Sequence, residues 1–252
     1  MRRNARQPKL TPIARRSLSD AVFEQLRDQI VNGQMQPGSL PSERVLCEAL
    51  GVNRSSVREG LRRLQQAGLV AVRHGGASQV LDYHGSAGLD LLESLLFTPT
   101  GNFDPDVIRS VLQMRSAIAP DVIRLAARRP AARLATRLEA IVADMRAAAG
   151  DLARLQKLAL DFWEEVVGAS GNVAYRLAYN SLRRTYDKCR ELLQTVLADE
   201  LSDVSTYAAI AGHIRRGNAA AAQARARDLV QRGETAIDAA LKRLERADRR
   251  AS

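Results

Sequence analysis

Arg54, Arg58 and Arg62 recur at every fourth residue, and Ser55 and Ser56 stand between the first two. On a helix that spacing lines three guanidinium groups along one face. It leaves Val57, Leu61 and Leu64 as an apolar stripe on another. A guanidinium fork matches the O6 and N7 acceptors of guanine, and an exposed helix N-terminus flanked by short hydroxyls offers backbone N–H groups to phosphate. Met without context, three such arginines are simply a solvated helix face. Here Asn53 is placed to cap the helix, Gly51 separates it from a preceding one, and Gly68 stops it. A capped second helix after a tight turn is the geometry that sets a recognition helix into a DNA major groove.

The surrounding elements must position that helix. Residues 1–18 carry Arg2, Arg3, Arg6, Lys9, Arg15 and Arg16 with Pro8 and Pro12, a pattern that predicts a flexible basic arm. Val22, Leu26 and Ile30 predict a first helix ending near Asn32-Gly33. Pro41-Ser42-Glu43 opens a second, with Ser42 as its cap and Leu46 and Leu50 on its buried side. After Gly68 the pattern changes to Leu69-Val70-Ala71-Val72, a glycine turn at Gly75-Gly76, and Gln79-Val80-Leu81, which predicts a two-stranded wing. The DNA-binding module is thus expected over 19–82, a linker helix over 83–103, and an all-helical domain over 104–252. In the last, periodic segments at 131–148, 151–168, 173–198, 201–216 and 218–247 follow a helix capped by Asp104-Pro105, which Pro120 should kink. The expected fold class is mainly α: a winged helix-turn-helix followed by a helical bundle of six or seven helices.

Other chemistries find little support. There is no GxGxxG after a strand, no P-loop, no GxSxG and no HExxH, and His74, His84 and His213 form no constellation. Catalysis is not expected. Cys47 and Cys189 lack metal or disulfide spacing and suit a reducing cytoplasm, and no apolar run is long enough for a membrane span. Thirty-eight Lys and Arg against 28 Asp and Glu give a formal charge of +10, which favours a polyanionic partner.

Pro37-Gly38, Leu40-Pro41-Ser42-Glu43-Arg44, Gly51-Val52-Asn53-Arg54, Val57-Arg58-Glu59 and Leu64 through Gly68-Leu69-Val70 resemble the winged-helix pattern of the GntR family. The resemblance implies operator contacts from Ser42, Arg44, Asn53, Arg54, Ser55, Ser56 and Arg58, with His74 and Gly75 at the wing tip reaching the minor groove. It also implies a homodimer on an inverted repeat of double-stranded DNA. Where the family usually has Ser or Thr before the first recognition arginine, this chain has Asn53, which can still cap but alters sequence preference.

The second half is similar to the all-helical effector domain of the FadR subfamily, most visibly at Ala169-Ser170-Gly171-Asn172. Many members hold a divalent metal with one Asp and three His and sense a small carboxylate through it. Spacing puts those positions on Ala159, Trp163, Tyr207 and Gln231, which are not such ligands, and Asp161 and His213 are displaced from them. No metal is therefore expected. Gly88-Leu89-Asp90-Leu91-Leu92-Glu93 adds a resemblance to the metal-free, fatty-acid-responsive branch, which implies a long-chain acyl-CoA effector and a pocket containing Arg115, Trp163, Asn172 and Tyr207. The stretch Ala219 to Arg227 departs from that branch, and a small carboxylate or another metabolite is the alternative effector.

Overall fold

The computed structural model describes residues 17–72, 78–98, 102–129 and 131–251. The chain forms two compact units, Met1–Gly88 and Leu89–Ser252.

In the first unit, α1 (Leu18–Val31) begins with a capping box in which the Ser17 and Asp20 side chains bond each other's backbone N–H groups. It buries Val22, Leu26 and Ile30, the predicted stripe. Helix α2 (Glu43–Leu50) is capped by Ser42 and ends at Gly51, whose φ of 64° is the left-handed conformation that a tight turn requires. Helix α3 (Arg54–Gln66) follows, burying Val57, Gly60, Leu61 and Leu64. A Cβ at Gly60 would stand 2.6 Å from Val22 Cγ1, so glycine is what lets α1 and α3 pack this closely.

The expected two-stranded wing is a three-stranded antiparallel sheet. Strand β3 (Gln79–Val80) pairs with β2 (Val70–Ala71) on one side and with β1 (Gly38–Ser39) on the other. The extra strand comes from the turn before α2, where the residues supply no alternating pattern to announce it. Helix α4 (Tyr83–Ser86) ends this unit.

The linker helix expected over 83–103 is not continuous. Helix α4 gives way at Ala87, whose backbone is extended, to a 3₁₀ turn at Leu89–Leu91 and a single turn of helix, α5 (Leu92–Leu95). Gly85 and Gly88 lower helix propensity where continuity was required. An antiparallel bridge between Phe97 and Phe103 follows.

The second unit is a bundle of α6 (Pro105–Arg128), α7 (Ala132–Ala147), α8 (Leu152–Ser170), α9 (Val173–Lys188), α10 (Arg190–Val196), α11 (Ala198–Ser202), α12 (Val204–Arg215) and α13 (Ala219–Ala251). Asp104 caps α6 with Pro105 in its first turn, as read from sequence. Pro120 is buried inside α6 without ending it. The segment expected as one helix over 173–198 is interrupted at Cys189 (φ −115°, ψ 14°), which turns the chain from α9 into α10. The core gathers Ile123, Leu138, Met145, Leu155, Phe162 and Ile210 among others from α6, α7, α8 and α12.

Candidate DNA-binding surface and effector pocket

Helix α3 starts at an exposed edge of its unit. Asn53 Oδ1 accepts from the Ser56 backbone N–H at 2.9 Å and from Ser55 Oγ at 2.7 Å. Both bonds hold the first turn open to solvent. Ser42, Arg44, Asn53, Arg54, Ser55 and Arg58 are exposed, and Ser56 is half-buried. The three arginines differ in their engagement. Arg54 has no ion pair among the described residues, whereas Arg58 Nε donates to Glu43 Oε2 at 2.9 Å. Arg62 holds Glu59 with two hydrogen bonds of 3.0 and 2.6 Å, which keep that carboxyl below the usual carboxylate range. Arg44 pairs with Glu48 at 3.0 Å. Arg54 is the guanidinium most free to meet a base edge, and Arg62 the least. His74 and Gly75 lie outside the described residues.

Behind this face, Arg63 is bonded to Asp20 of α1, and its guanidinium covers the Phe23 ring at 4.3 Å. Sequence reading left Arg63 unassigned. Together with Gly60 it fixes α3 on α1.

The bundle holds a partly open cavity of about 220 Å³ lined almost wholly by apolar side chains. Arg115, Trp163 and Tyr207 line it. Asn172 does not. It caps α9, its Oδ1 accepting from the Ala174 and Tyr175 N–H groups at 3.0 and 3.2 Å. The residue that sequence reading missed is Glu200, which accepts a hydrogen bond from Arg115 across 85 positions of sequence. Glu200 sits at 4% exposure in the apolar series Leu193, Val196, Leu197 and Leu201, and a charge interrupting that series was the available signal.

Burial works to lower the Arg115 pKa, but the charge and hydrogen bond of Glu200 raise it, so Arg115 remains a cation. Burial pushes the Glu200 carboxyl up against the opposing pull of Arg115. Burial likewise raises the Tyr207 phenol and keeps it protonated. The Phe162 ring meets Tyr207 edge-on at 5.2 Å and fixes its orientation.

Three positions at which the subfamily pattern would supply metal ligands, Ala159, Trp163 and Tyr207, face this cavity. The fourth, Gln231, is exposed and turned away from it. Asp161 is also exposed, and His213 Nδ1 lies 3.1 Å from Arg216 Nη2, outside the cavity lining. Among the described residues no three His, Cys, Asp or Glu side chains converge to hold a metal ion.

Helix α9 has two jobs. Tyr175, Tyr179, Arg183 and Tyr186 line the cavity. On the same helix, Ser181 Oγ donates to Asp90 Oδ1 at 2.9 Å, Arg184 pairs with the same carboxylate, and Lys188 meets Glu93 at 2.8 Å. The segment that follows the first unit is thus tied to the helix that walls the pocket.

Comparison with known proteins agrees with both halves. Residues 18–80 match the bacterial regulatory proteins of the gntR family, and residues 110–232 match the FCD domain. The chain is 40% identical over 233 residues to the HTH-type transcriptional regulator Mce2R of Mycobacterium tuberculosis, covering 92% of this chain and 96% of that one. It is 35% identical over 166 residues to the fatty acid metabolism regulator protein of Edwardsiella ictaluri, covering 66% of this chain and 67% of that one. A solved GntR family regulator from Pseudomonas syringae shares the fold with a TM-score of 0.50 at 17% identity, over 92% of this chain and 89% of the other. No helix among the described residues is long and apolar enough to cross a membrane. The chain is a transcription regulator rather than an enzyme, and it belongs to the GntR family, with a helix-turn-helix DNA-binding domain and an all-helical, effector-binding FCD domain.

Proposed function

We propose that a homodimer of this regulator binds an inverted-repeat operator through the α3 face, and that a fatty acyl ligand of the acyl-CoA class controls its affinity. The apolar cavity carries the second half of this reading. Its buried cation, Arg115, is already neutralised by Glu200, so a short carboxylate entering it would find no free positive charge beside Arg115 and a like charge on Glu200. A hydrocarbon chain gains from every apolar wall it meets, at about 25 cal/mol per Å² buried. The names of the fatty acid metabolism regulators among the relatives point the same way.

On the DNA side, Ser42, Arg44, Asn53, Ser55, Ser56 and Arg58 contribute phosphate and base contacts around Arg54, with His74 and Gly75 assigned to the minor groove. Ligand in the cavity displaces α9, and the Asp90 and Glu93 contacts carry that displacement into the segment leading to the DNA-binding domain. In a dimer this changes the separation of two recognition helices, which must match about one turn of DNA.

The test is the melting temperature with palmitoyl-CoA, free CoA and short carboxylates, each with and without chelator, alongside operator binding by fluorescence anisotropy. A ligand at about 100 times its Kd adds roughly 2.7 kcal/mol of stability. A rise with palmitoyl-CoA alone, indifferent to chelator and accompanied by a change in operator affinity, is the expected result. A rise with a short carboxylate that chelator abolishes would replace the acyl ligand with a metal-bound one.

A further inference from the structure

The polar end of the cavity is only half paired. Arg115 takes one oxygen of Glu200, and the other, Oε2, has no hydrogen-bond partner among the described residues. The Tyr207 hydroxyl also lacks an acceptor, since the Trp163 indole N–H beside it can only donate. Both side chains are almost wholly buried, Glu200 at 4% and Tyr207 at 0% exposure, and both face the cavity. Buried polar groups are nearly always hydrogen-bonded, so an acceptor and a hydroxyl left open in the lining of one cavity define a complementary group. Glu200 Oε2 packs against the α13 backbone at Gly233, where a Cβ would overlap it and stand 3.0 Å from Arg115 Nη1.

We propose that the ligand of this cavity carries a hydroxyl group on its apolar body, donating to Glu200 Oε2 and accepting from the Tyr207 hydroxyl. The inference rests on the acyl reading of the pocket and narrows it to a hydroxylated chain. Other groups fit less well. A plain alkyl chain leaves both atoms unpaired, and a thioester or ketone oxygen accepts from Tyr207 but offers nothing to Glu200. A carboxylate opposes the Glu200 charge. An ammonium donates to Glu200 but gives Tyr207 no acceptor.

Trp163 is the sole tryptophan of the chain and lines the cavity, so its fluorescence reports occupancy directly. The experiment titrates the full-length protein with palmitoyl-CoA, with palmitoyl-CoAs hydroxylated near the thioester, at mid-chain and at the chain end, and with the keto analogue of each. A separate pair, 1-hexadecanol and its methyl ether, tests whether the hydroxyl is read without CoA. The expected result is one hydroxylated isomer binding about tenfold more tightly than both palmitoyl-CoA and its own keto analogue. Tyr207→Phe should reduce the preference over palmitoyl-CoA and leave that over the keto analogue, which Glu200 sets. Glu200→Gln turns the open acceptor into an N–H donor and should invert it toward the ketone, a change that general loosening of the fold cannot produce.

If Glu200→Gln does not fold, judged by circular dichroism, Tyr207→Phe and the wild-type series still decide. Equal binding of plain, hydroxylated and keto chains would overturn the hydroxyl inference and leave the acyl reading standing. Preference for 1-hexadecanol over its ether, with no acyl-CoA bound, would uphold the hydroxyl and overturn the acyl-CoA form. Binding in no arm would overturn both.

Discussion

Glu200 of α11 lies against the backbone of Gly233 in α13, close enough that a single added methyl would overlap the carboxylate. The pairing of Glu200 with Arg115 of α6 therefore depends on the absence of a side chain on a third helix. Gly233→Ala sets two effects against each other. Helix propensity favours alanine by about 1 kcal/mol. Overpacking costs about 1–3 kcal/mol, and dislodging one member of a buried ion pair costs more. Net destabilisation of the bundle by about 1–3 kcal/mol is expected in chemical denaturation. Stabilisation instead would mean that the carboxylate moves aside freely.

Arg54 and Arg62 share a face of α3 but not a state of engagement. Arg54→Ala should weaken operator binding by about 1–3 kcal/mol, as expected for loss of a bidentate base contact. Arg62→Ala should cost less than a third of that, because Arg62 is committed to Glu59 by two hydrogen bonds. Anisotropy titrations at several salt concentrations separate base from phosphate contacts through the slope against log salt. Equal losses for the two variants would show that Glu59 releases Arg62 on DNA.

Ser181 and Arg184 tie Asp90 to α9. Exposed ion pairs contribute little to stability, and Arg184 and Asp90 are largely exposed, so Ser181→Ala combined with Arg184→Ala should melt within a few degrees of wild type. Ligand-free operator affinity should also be retained. What should shrink is the response to effector, whose usual scale is 1–3 kcal/mol or about 5- to 150-fold. An unchanged response in the double variant would place the coupling elsewhere.

Cys189 lines the cavity, and burial pushes its thiol up to about 11. Burial disfavours the thiolate, so at pH 8, three units below that value, roughly one Cys189 in a thousand is ionised. Alkylation followed by mass spectrometry should show slow labelling at pH 8, about tenfold faster labelling per pH unit above it, and protection when effector fills the cavity. Labelling at full rate at pH 8 would mean that the thiol is open to water.

Much of the DNA-binding unit and the start of the bundle were legible because their determinants are local. Ser42, Asn53 and Asp104 are short polar residues immediately before an apolar period, and each caps the helix it was read to cap. Strand β1 was not legible, since two residues carry no alternation and their pairing with Gln79 and Val80 joins distant parts of the chain. The break at Cys189 escaped for a related reason: the apolar period runs on through a backbone turn that only packing enforces. In the pocket, an arginine on an apolar stripe was visible as an anomaly. Its partner Glu200 also breaks an apolar series, but Asp199 beside it lets that break read as an ordinary acidic turn. Asn172 was misplaced because a cap and a ligand contact call for the same side chain.

The narrow sheet of the first unit bears on how such a protein behaves when crowded along DNA. Its central strand, β3, is covered on both sides, and each outer strand is two residues long. An exposed strand edge is a template for pairing with another chain, and a very short one offers almost nothing to copy. Neighbouring copies drawn to the same polyanion can therefore accumulate without zipping together through their wings, and contacts between them are left to other surfaces.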